Sequence, residues 1–163
     1  TGSGASPTEK MNIAPNGEVT MPSQPSFLVN ASTQANLPIN TDQIIQFDTE
    51  RHDQNADFND SNHTFTAPVT GKYFFTAQVR LDTIDNAASY YRIKLVTSNR
   101  TIYGDLHDVN YMFSGDASYN TLQVTVLTDM DASDNAYIFI HQSAGTAQSD
   151  VASQSHFSGF LAH

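Results

Sequence analysis

The sequence contains no cysteine and no tryptophan among its 163 residues. A chain without cysteine has no disulfide framework and no thiolate chemistry, so its fold must be held by a hydrophobic core or by contacts between subunits. With 39% hydrophobic residues at this length, the chain can form one globular domain with a core and a short appendage.

Positive charge is also scarce. Lysine and arginine together number seven, against seventeen aspartates and glutamates, and the formal net charge is −10. Proteins that bind nucleic acid need clustered cations to release counterions from the phosphates. The composition therefore predicts that nucleic acid is not a partner.

Two further absences concern membranes and catalysis. No apolar run approaches the roughly twenty residues of a membrane-spanning helix, and no secretory signal motif is present. The chain also lacks a Gly-x-Ser-x-Gly elbow, a phosphate-binding loop and a His-Glu-x-x-His motif. We therefore predict no membrane insertion and no enzymatic activity.

The chain does contain a succession of strand patterns, with no helical period. From Lys72 to Leu81 apolar and polar residues alternate, as on a strand with one buried face. Phe74 interrupts the polar face, and we interpret it as a partly buried aromatic at a sheet edge or a subunit boundary. Other strands are predicted at 26–29, 43–47, 90–96, 100–103, 120–127, 136–141 and 155–161. About ten short strands separated by polar turns predict an all-β sandwich or jelly roll.

The first 24 residues differ from the rest. The first six have the composition of a flexible linker, and the chain around Asn16-Gly17 is typical of a small hairpin. Because a lone hairpin is only marginally stable in water, we expect it to pack against its own copies or against the head. Pro22 and Pro25 mark the boundary between this linker and stalk hairpin (1–24) and a head domain (25–163).

Seven landmark residues follow one another at fixed spacing: Phe47, Asp53, Phe58, Phe65, Gly71, Tyr73 and Phe75. Their spacing resembles the signature of the globular head of complement component one-q, a branch of the tumour-necrosis-factor-like jelly rolls. One position departs from the signature, because Ala77 stands where the family has an aromatic residue. The closing stretch Phe157–Leu161, Phe-Ser-Gly-Phe-Leu, also resembles the last strand of these heads. Together the two matches cover essentially residues 25–163.

The resemblance implies a ten-strand jelly roll, a homotrimer and a binding head rather than an enzyme. In that fold the last strand lies in the inner sheet, near the first and third strands and beside the threefold axis. Gly159 would let neighbouring backbone or an aromatic ring approach closely, which is a usual reason for glycine inside a strand.

A second resemblance concerns the segment before the head. Residues 6–13 together with Asn16-Gly17 resemble segments that recur along bacteriophage tail-fibre and adhesin shafts. This resemblance implies an extracellular or virion location. We therefore hypothesise a phage tail-fibre tip or a bacterial adhesin that recognises a host glycan or receptor. The alternative is a purely structural trimer, such as a capsid decoration or a fibre-end cap.

Acidic residues raise the possibility of a calcium site. The stretch from Asp116 to Gln123 resembles a strand entry in complement one-q heads, where an Asp and a Gln help to hold calcium at the trimer apex. The resemblance implies Asp116 and Gln123 as ligands, although Ala117 replaces the aromatic residue that often follows the Asp. Hydrogen bonding at the strand entry is the alternative. The 129–134 cluster lacks the glycine and glutamate of an EF-hand loop, and we interpret it as a solvated turn.

The segment 104–119 is the predicted ligand-binding loop, because binding residues usually lie in loops that a rigid scaffold positions. We expect a weak glycan site, strengthened by three linked copies, with the loop 82–89 beside it. The candidate ligand-binding residues are His107, Asp108, Asn110 and Tyr111.

Tyrosines offer a further hypothesis, since their rings could stack on a saccharide. The tyrosines in question are Tyr90, Tyr91, Tyr103, Tyr111 and Tyr119. Tyr90 and Tyr91 point to opposite faces of one strand, so at most one of them can lie on such a surface. Packing within the sandwich is the alternative.

Overall fold

The computed structural model describes residues 10–163. The predicted six-residue linker lies outside the described residues. The described chain folds into two antiparallel sheets that face each other, preceded by a separate two-stranded hairpin.

Sheet A is built around the alternating strand that the sequence predicted. Its strands are, in spatial order, β11 (Ala117–Met130), β8 (Gly71–Ile84), β14 (His156–Leu161), β3 (Ser26–Ala31) and β5 (Phe47–Gln54), with β13 (Asp150–Val151) paired to β8. The closing strand therefore lies between β3 and β8, as the resemblance implied.

Sheet B covers the other side of the core. Its strands are, in spatial order, β10 (Thr101–His107), β9 (Ala88–Thr97), β12 (Asn135–Ala144), β7 (Thr64–Thr66) and β6 (Phe58–Asn59), with β4 (Asp42–Ile44) also paired to β12. The all-β sandwich prediction is confirmed. Residues 10–163 contain more strands than the ten predicted, because several have only two or three residues and are too short to show alternation.

Aromatic rings from both sheets meet in the core. The ring of Phe27 lies 5.2 Å from that of Phe58, 5.0 Å from that of Phe65 and 4.9 Å from that of Phe157, between centroids. Burying each such side chain stabilises the fold by about 2–3 kcal/mol. The landmark spacing thus places phenylalanines from separate strands in one cluster.

Gly159 lies directly under this cluster. A Cβ atom at this position would lie 2.4 Å from Cδ1 of Phe75 and 2.9 Å from Cε1 of Phe27. The absence of a side chain lets both rings pack on the backbone of β14, which confirms the expectation that an aromatic residue approaches this glycine closely.

The sequence predicted a single strand at 43–47, but the structure divides this apolar segment between the two sheets. It pairs with β12 of sheet B up to Ile44 and joins sheet A from Phe47 onward. Ile45 and Phe47 are both fully buried, because the chain crosses between the two sheets here. The run is apolar because it passes through the core, and a sequence pattern cannot distinguish that path from a buried strand.

The predicted loop 104–119 is also shorter than expected. Strand β10 continues to His107, a four-residue helix α1 spans Val109–Met112, and β11 begins at Ala117. The glycine at 104 permits this extension, since a Cβ there would lie 2.4 Å from the carbonyl oxygen of Gln123. The edge strands β10 and β11 therefore approach each other closely, and the loop is reduced to residues 108–116.

The N-terminal hairpin pairs β1 (Asn12–Ile13) with β2 (Val19–Thr20) around the predicted Asn-Gly turn. It contacts the head through Gln54, whose Nε2 donates to the carbonyl oxygen of Met21 at 2.7 Å. The apolar side chains Met11, Ile13, Val19 and Met21 remain exposed. In residues 10–163 there is no helix of the length and apolarity needed to cross a membrane.

Candidate functional site

The loop 108–116 lies where β10 leaves sheet B and β11 enters sheet A. Two of the four predicted ligand-binding residues hold this loop in place. His107 Nδ1 and the Asn120 side-chain nitrogen are 2.8 Å apart, and Asn110 Nδ2 donates to the carbonyl oxygen of Ala88 at 3.0 Å. Asn110 therefore anchors the loop to β9. One of the two ring nitrogens of His107 is already in contact with Asn120.

The other two predicted residues are available to a ligand. The side chain of Tyr111 is 90% exposed, and it lies on the single turn of α1. Asp108 precedes that turn and makes no side-chain capping bond to it. An exposed phenol ring next to an uncommitted carboxylate can both stack on a ligand and accept hydrogen bonds from hydroxyl groups.

The loop 85–87 lies beside 108–116, as predicted for the 82–89 loop. Asn86 links the two, because its Nδ2 donates to the carbonyl oxygens of Val109 at 3.0 Å and Phe113 at 2.9 Å. Its backbone N–H donates to Oδ1 of Asp116 at 2.9 Å. The residues of this end of the sandwich thus form one connected surface.

Asp116 and Gln123 do not converge within one chain. They lie seven residues apart along the continuous β8–β11 pairing, a path of roughly 20 Å for extended chain. Asp116 already accepts the bond from Asn86, as the strand-entry alternative proposed, and the Gln123 side chain donates to Gln78 at 3.2 Å. Among residues 10–163, no three acidic or histidine side chains are grouped so as to hold a metal ion.

Asp85, in the loop 85–87, is only 3% exposed. Its carboxylate accepts the backbone N–H groups of Ala87 at 2.8 Å, of Ala147 at 2.7 Å and of Thr146. Burial acts to raise the pKa of Asp85, but these hydrogen bonds outweigh it, so the pKa lies below its usual value. Asp85 fixes the turn after β12 and is not a surface ligand.

The tyrosines separate as expected. Tyr91 is fully buried, and its hydroxyl lies 3.1 Å from the N–H of Asp85 and 2.7 Å from Oγ of Ser149. Tyr90 lies on the opposite, outward face of sheet B.

The 129–134 cluster forms a turn in which Oδ2 of Asp134 accepts the N–H of Asp131 at 2.8 Å.

A different surface lies on the outward face of sheet A. Phe74, on β8, packs against Phe160 with ring centroids 5.3 Å apart, and Leu127 is their neighbour on β11. Phe160 is 46% exposed in the single chain. The sequence had singled out Phe74 as a break in the polar face, and the structure shows that it belongs to an apolar patch.

Polar but uncharged residues continue this face above the patch. Thr76 and Thr125 share a hydrogen bond of 2.8 Å between their hydroxyls, and Gln123 bonds to Gln78 in the next row. Charges flank these rows, with the cross-strand neighbours Lys72 and Asp129 on one side and Arg80 on the other. A surface poor in charge, on a chain with net charge −10, has the composition of a subunit interface.

Comparison with known proteins agrees with this architecture. The family model described as the C1q domain matches residues 26–162. The globular domain of zebrafish complement 1qA protein superposes with a TM-score of 0.63 at 17% identity, covering 86% of this chain and 98% of that one. Murine APRIL superposes with a TM-score of 0.57 at 11% identity, covering 85% of this chain and 98% of that one. No curated protein matches the sequence.

C1q domains and their tumour-necrosis-factor-like relatives are non-catalytic binding modules, typically extracellular and usually homotrimeric. The match over residues 26–162 covers the whole sandwich from β3 to the end of β14. The chain therefore belongs to the C1q domain family.

Proposed function

We propose that the protein is the homotrimeric binding head of an extracellular fibre, a phage tail-fibre tip or a bacterial adhesin, that attaches to a host glycan or receptor. The observation that carries this proposal is the opposite placement of the stalk hairpin and the exposed loop 108–116 on the sandwich. The proposed trimer forms through the outward face of sheet A.

The stalk enters at one end of sheet A. Gln24, which follows the hairpin, donates from Nε2 to the carbonyl oxygen of Leu161 at 2.6 Å, and Leu161 pairs with Tyr73 near the start of β8. At the far end of β8, Ile84 pairs with Ala117, directly after the loop 108–116. The fourteen residues of β8 separate the two ends by roughly 40 Å. A loop so placed would point away from a fibre shaft and toward a host surface.

The apolar patch supports trimerisation. Phe74, Leu127 and Phe160 form a contiguous apolar surface on a sheet face, and such surfaces on soluble proteins mark interaction sites. A contact that repeats around a threefold axis buries the same patch on each subunit and closes into a ring. Three linked heads would then raise the avidity of a weak site.

Host binding tests the proposal through the loop. The double variant Tyr111→Ala, Asp108→Ala removes the exposed ring and the uncommitted carboxylate, and neither side chain supports the core. It should fold and assemble like the parent but lose at least tenfold in binding to host cells or to a glycan array.

The matched control is Val69→Ala, Asp131→Ala, which removes an exposed apolar side chain and an exposed carboxylate from turns at the stalk end. It should bind like the parent. If the loop variant binds host cells as well as the control does, the binding site lies elsewhere. If the parent binds no host surface at all, the alternative of a structural trimer or fibre-end cap is favoured.

A further inference from the structure

The outward face of sheet B carries a cluster of cations and aromatic rings that the proposed function does not use. Four strands place their outward side chains in one row across the sheet, in the order Leu106, Arg92, His141 and Asp42. Tyr103 and Lys94 occupy the neighbouring row. This face is opposite to the one proposed for trimerisation.

Arg92 lies between two tyrosine rings. Its guanidinium carbon is 4.9 Å from the ring centroid of Tyr103 and 5.5 Å from that of Tyr90. The ring of His141 stacks on Tyr90, with centroids 5.9 Å apart. Contacts with two rings restrict the movement of the guanidinium, so the group is held ready for a planar partner.

The cluster carries more positive charge than negative charge. Its only carboxylate within residues 10–163 is Asp42, which forms an ion pair with buried Lys94 and accepts a 3.0 Å hydrogen bond from Nδ1 of His141. Burial acts to raise the pKa of Asp42, but Lys94 and His141 outweigh it, and the pKa is lowered. Asp42 is therefore ionised and already occupied by two other groups.

Arg92 itself has no counter-ion in the described chain. No carboxylate of residues 10–163 lies within 4 Å of it, and its buried Nε makes no hydrogen bond. Unlike Nε, the other two guanidinium nitrogens are not buried. They are open to solvent. By contrast, Arg100, in the turn between β9 and β10, is paired with Asp129 at 2.8 Å. On a chain with seven lysines and arginines and a net charge of −10, an unpaired stacked arginine is unusual.

We propose that this face, with Arg92 clamped by Tyr90 and Tyr103, binds an acidic sugar, a pyranose that carries a carboxylate. The guanidinium donates to the carboxylate through its two open nitrogens, as paired N–H groups do to planar oxyanions. The ring of Tyr103, which is 62% exposed, offers its apolar face to the C–H groups of the sugar.

The covered edge of β10 favours a sugar over an acidic peptide strand. Strand β10 would be the edge to which a peptide could add, but Gly104 brings it against β11, and Oδ2 of Asp105 accepts the N–H of Gln123 at 2.9 Å. That edge is therefore covered. A compact ligand that stacks on a ring needs no free strand edge.

Titration of the purified protein with glucuronate, glucose, acetate and an acidic tripeptide tests the proposal, with binding followed by ligand-observed NMR. Glucuronate should bind at least tenfold more tightly than the other three. Equal binding of glucuronate and glucose, or of glucuronate and acetate, would overturn the proposal. Stronger binding of the tripeptide would identify a peptide site and overturn it as well.

Variants locate the site. Arg92→Lys keeps the charge but not the planar fork, and we expect at least a tenfold loss of glucuronate affinity. Tyr103→Ala should weaken binding by a similar factor, while Tyr103→Phe should retain it. Arg100→Gln, the paired control, should leave binding unchanged, as should the Tyr111→Ala, Asp108→Ala variant of the other loop. If Arg92→Lys fails to fold, the two variants of the exposed Tyr103 still test the site. Unchanged glucuronate binding by Tyr103→Ala would refute it.

Discussion

At Gly159 the closing strand passes directly beneath the rings of Phe75 and Phe27, at distances that exclude any side chain. The residue is therefore required by the packing of its neighbours rather than by a turn. Because Gly159 has no side chain, β14 can lie in the centre of sheet A while the aromatic rings remain packed together.

Replacing Gly159 with alanine should destabilise the protein by about 2 kcal/mol, because the new methyl group overpacks two fully buried rings. Ser158→Ala is the matched control, since the same strand carries Ser158 on its outward face. Chemical denaturation of both variants measures the difference. A Gly159→Ala protein as stable as the Ser158→Ala protein would contradict the described packing.

Asp85 predicts a pH dependence. Its pKa is lowered in the folded protein, so the stability that it contributes is fully present above the unfolded pKa of about 4 and is lost as the pH falls through the folded value. Asp85→Asn should cost about 2 kcal/mol at pH 7, because three backbone N–H groups lose a buried, charged acceptor. The variant should also lose less stability than the parent as the pH falls below about 4.

Denaturation of the parent and the Asp85→Asn variant at several pH values measures both effects. Asp131→Asn, which changes an exposed carboxylate, serves as the control and should follow the parent. Parallel pH profiles for the parent and Asp85→Asn would show that the buried carboxylate is not responsible.

At the scale of the elements, alternation along β8 and the landmark phenylalanines predict the sandwich well, since burial of one face leaves a period of two in the sequence. The crossing at 44–47 could not be predicted, because an apolar run looks alike in a strand and in a core passage. The extension of β10 was also missed, since Gly104 reads as a turn residue until its approach to Gln123 is known.

The sites were harder to predict than the strands. Tyr111 and Asp108 could be chosen because loops expose polar and aromatic residues. The clamp around Arg92 could not, because Tyr103 comes from another strand, as do the neighbouring cluster residues His141 and Asp42. Only the register of sheet B brings them together. The burial of Asp85 likewise depends on Thr146 and Ala147, about sixty residues away.

The predicted calcium site lies at the start of β11, which Asp116 directly precedes. If three copies of Asp116 meet near the threefold axis, their carboxylates repel one another unless a cation lies between them. We expect millimolar calcium to raise the melting temperature relative to a chelator, and Asp116→Ala to abolish that increment while Asp131→Ala preserves it. Equal melting temperatures with calcium and with chelator would refute the site.

For the whole molecule, assembly joins the two proposed binding surfaces into one particle. In a trimer formed through sheet A, the loop 108–116 would lie at the end away from the stalk, and Arg92 would lie on the sheet opposite the proposed interface. Each subunit would then present both surfaces once, and the trimer would present each of them three times. The avidity of a fibre tip depends on this arrangement, so the oligomeric state is the central claim.

The mass of the assembly in solution tests that claim most directly. Light scattering at micromolar concentration should give about 54 kDa, three times the 17.9 kDa of the chain. Phe160→Glu, which introduces a charge into the apolar patch, should reduce the mass to that of a monomer. Val69→Glu, a change at a residue with the same 46% exposure in a turn at the stalk end, should leave it unchanged. A parent protein that remains at about 18 kDa would contradict the account.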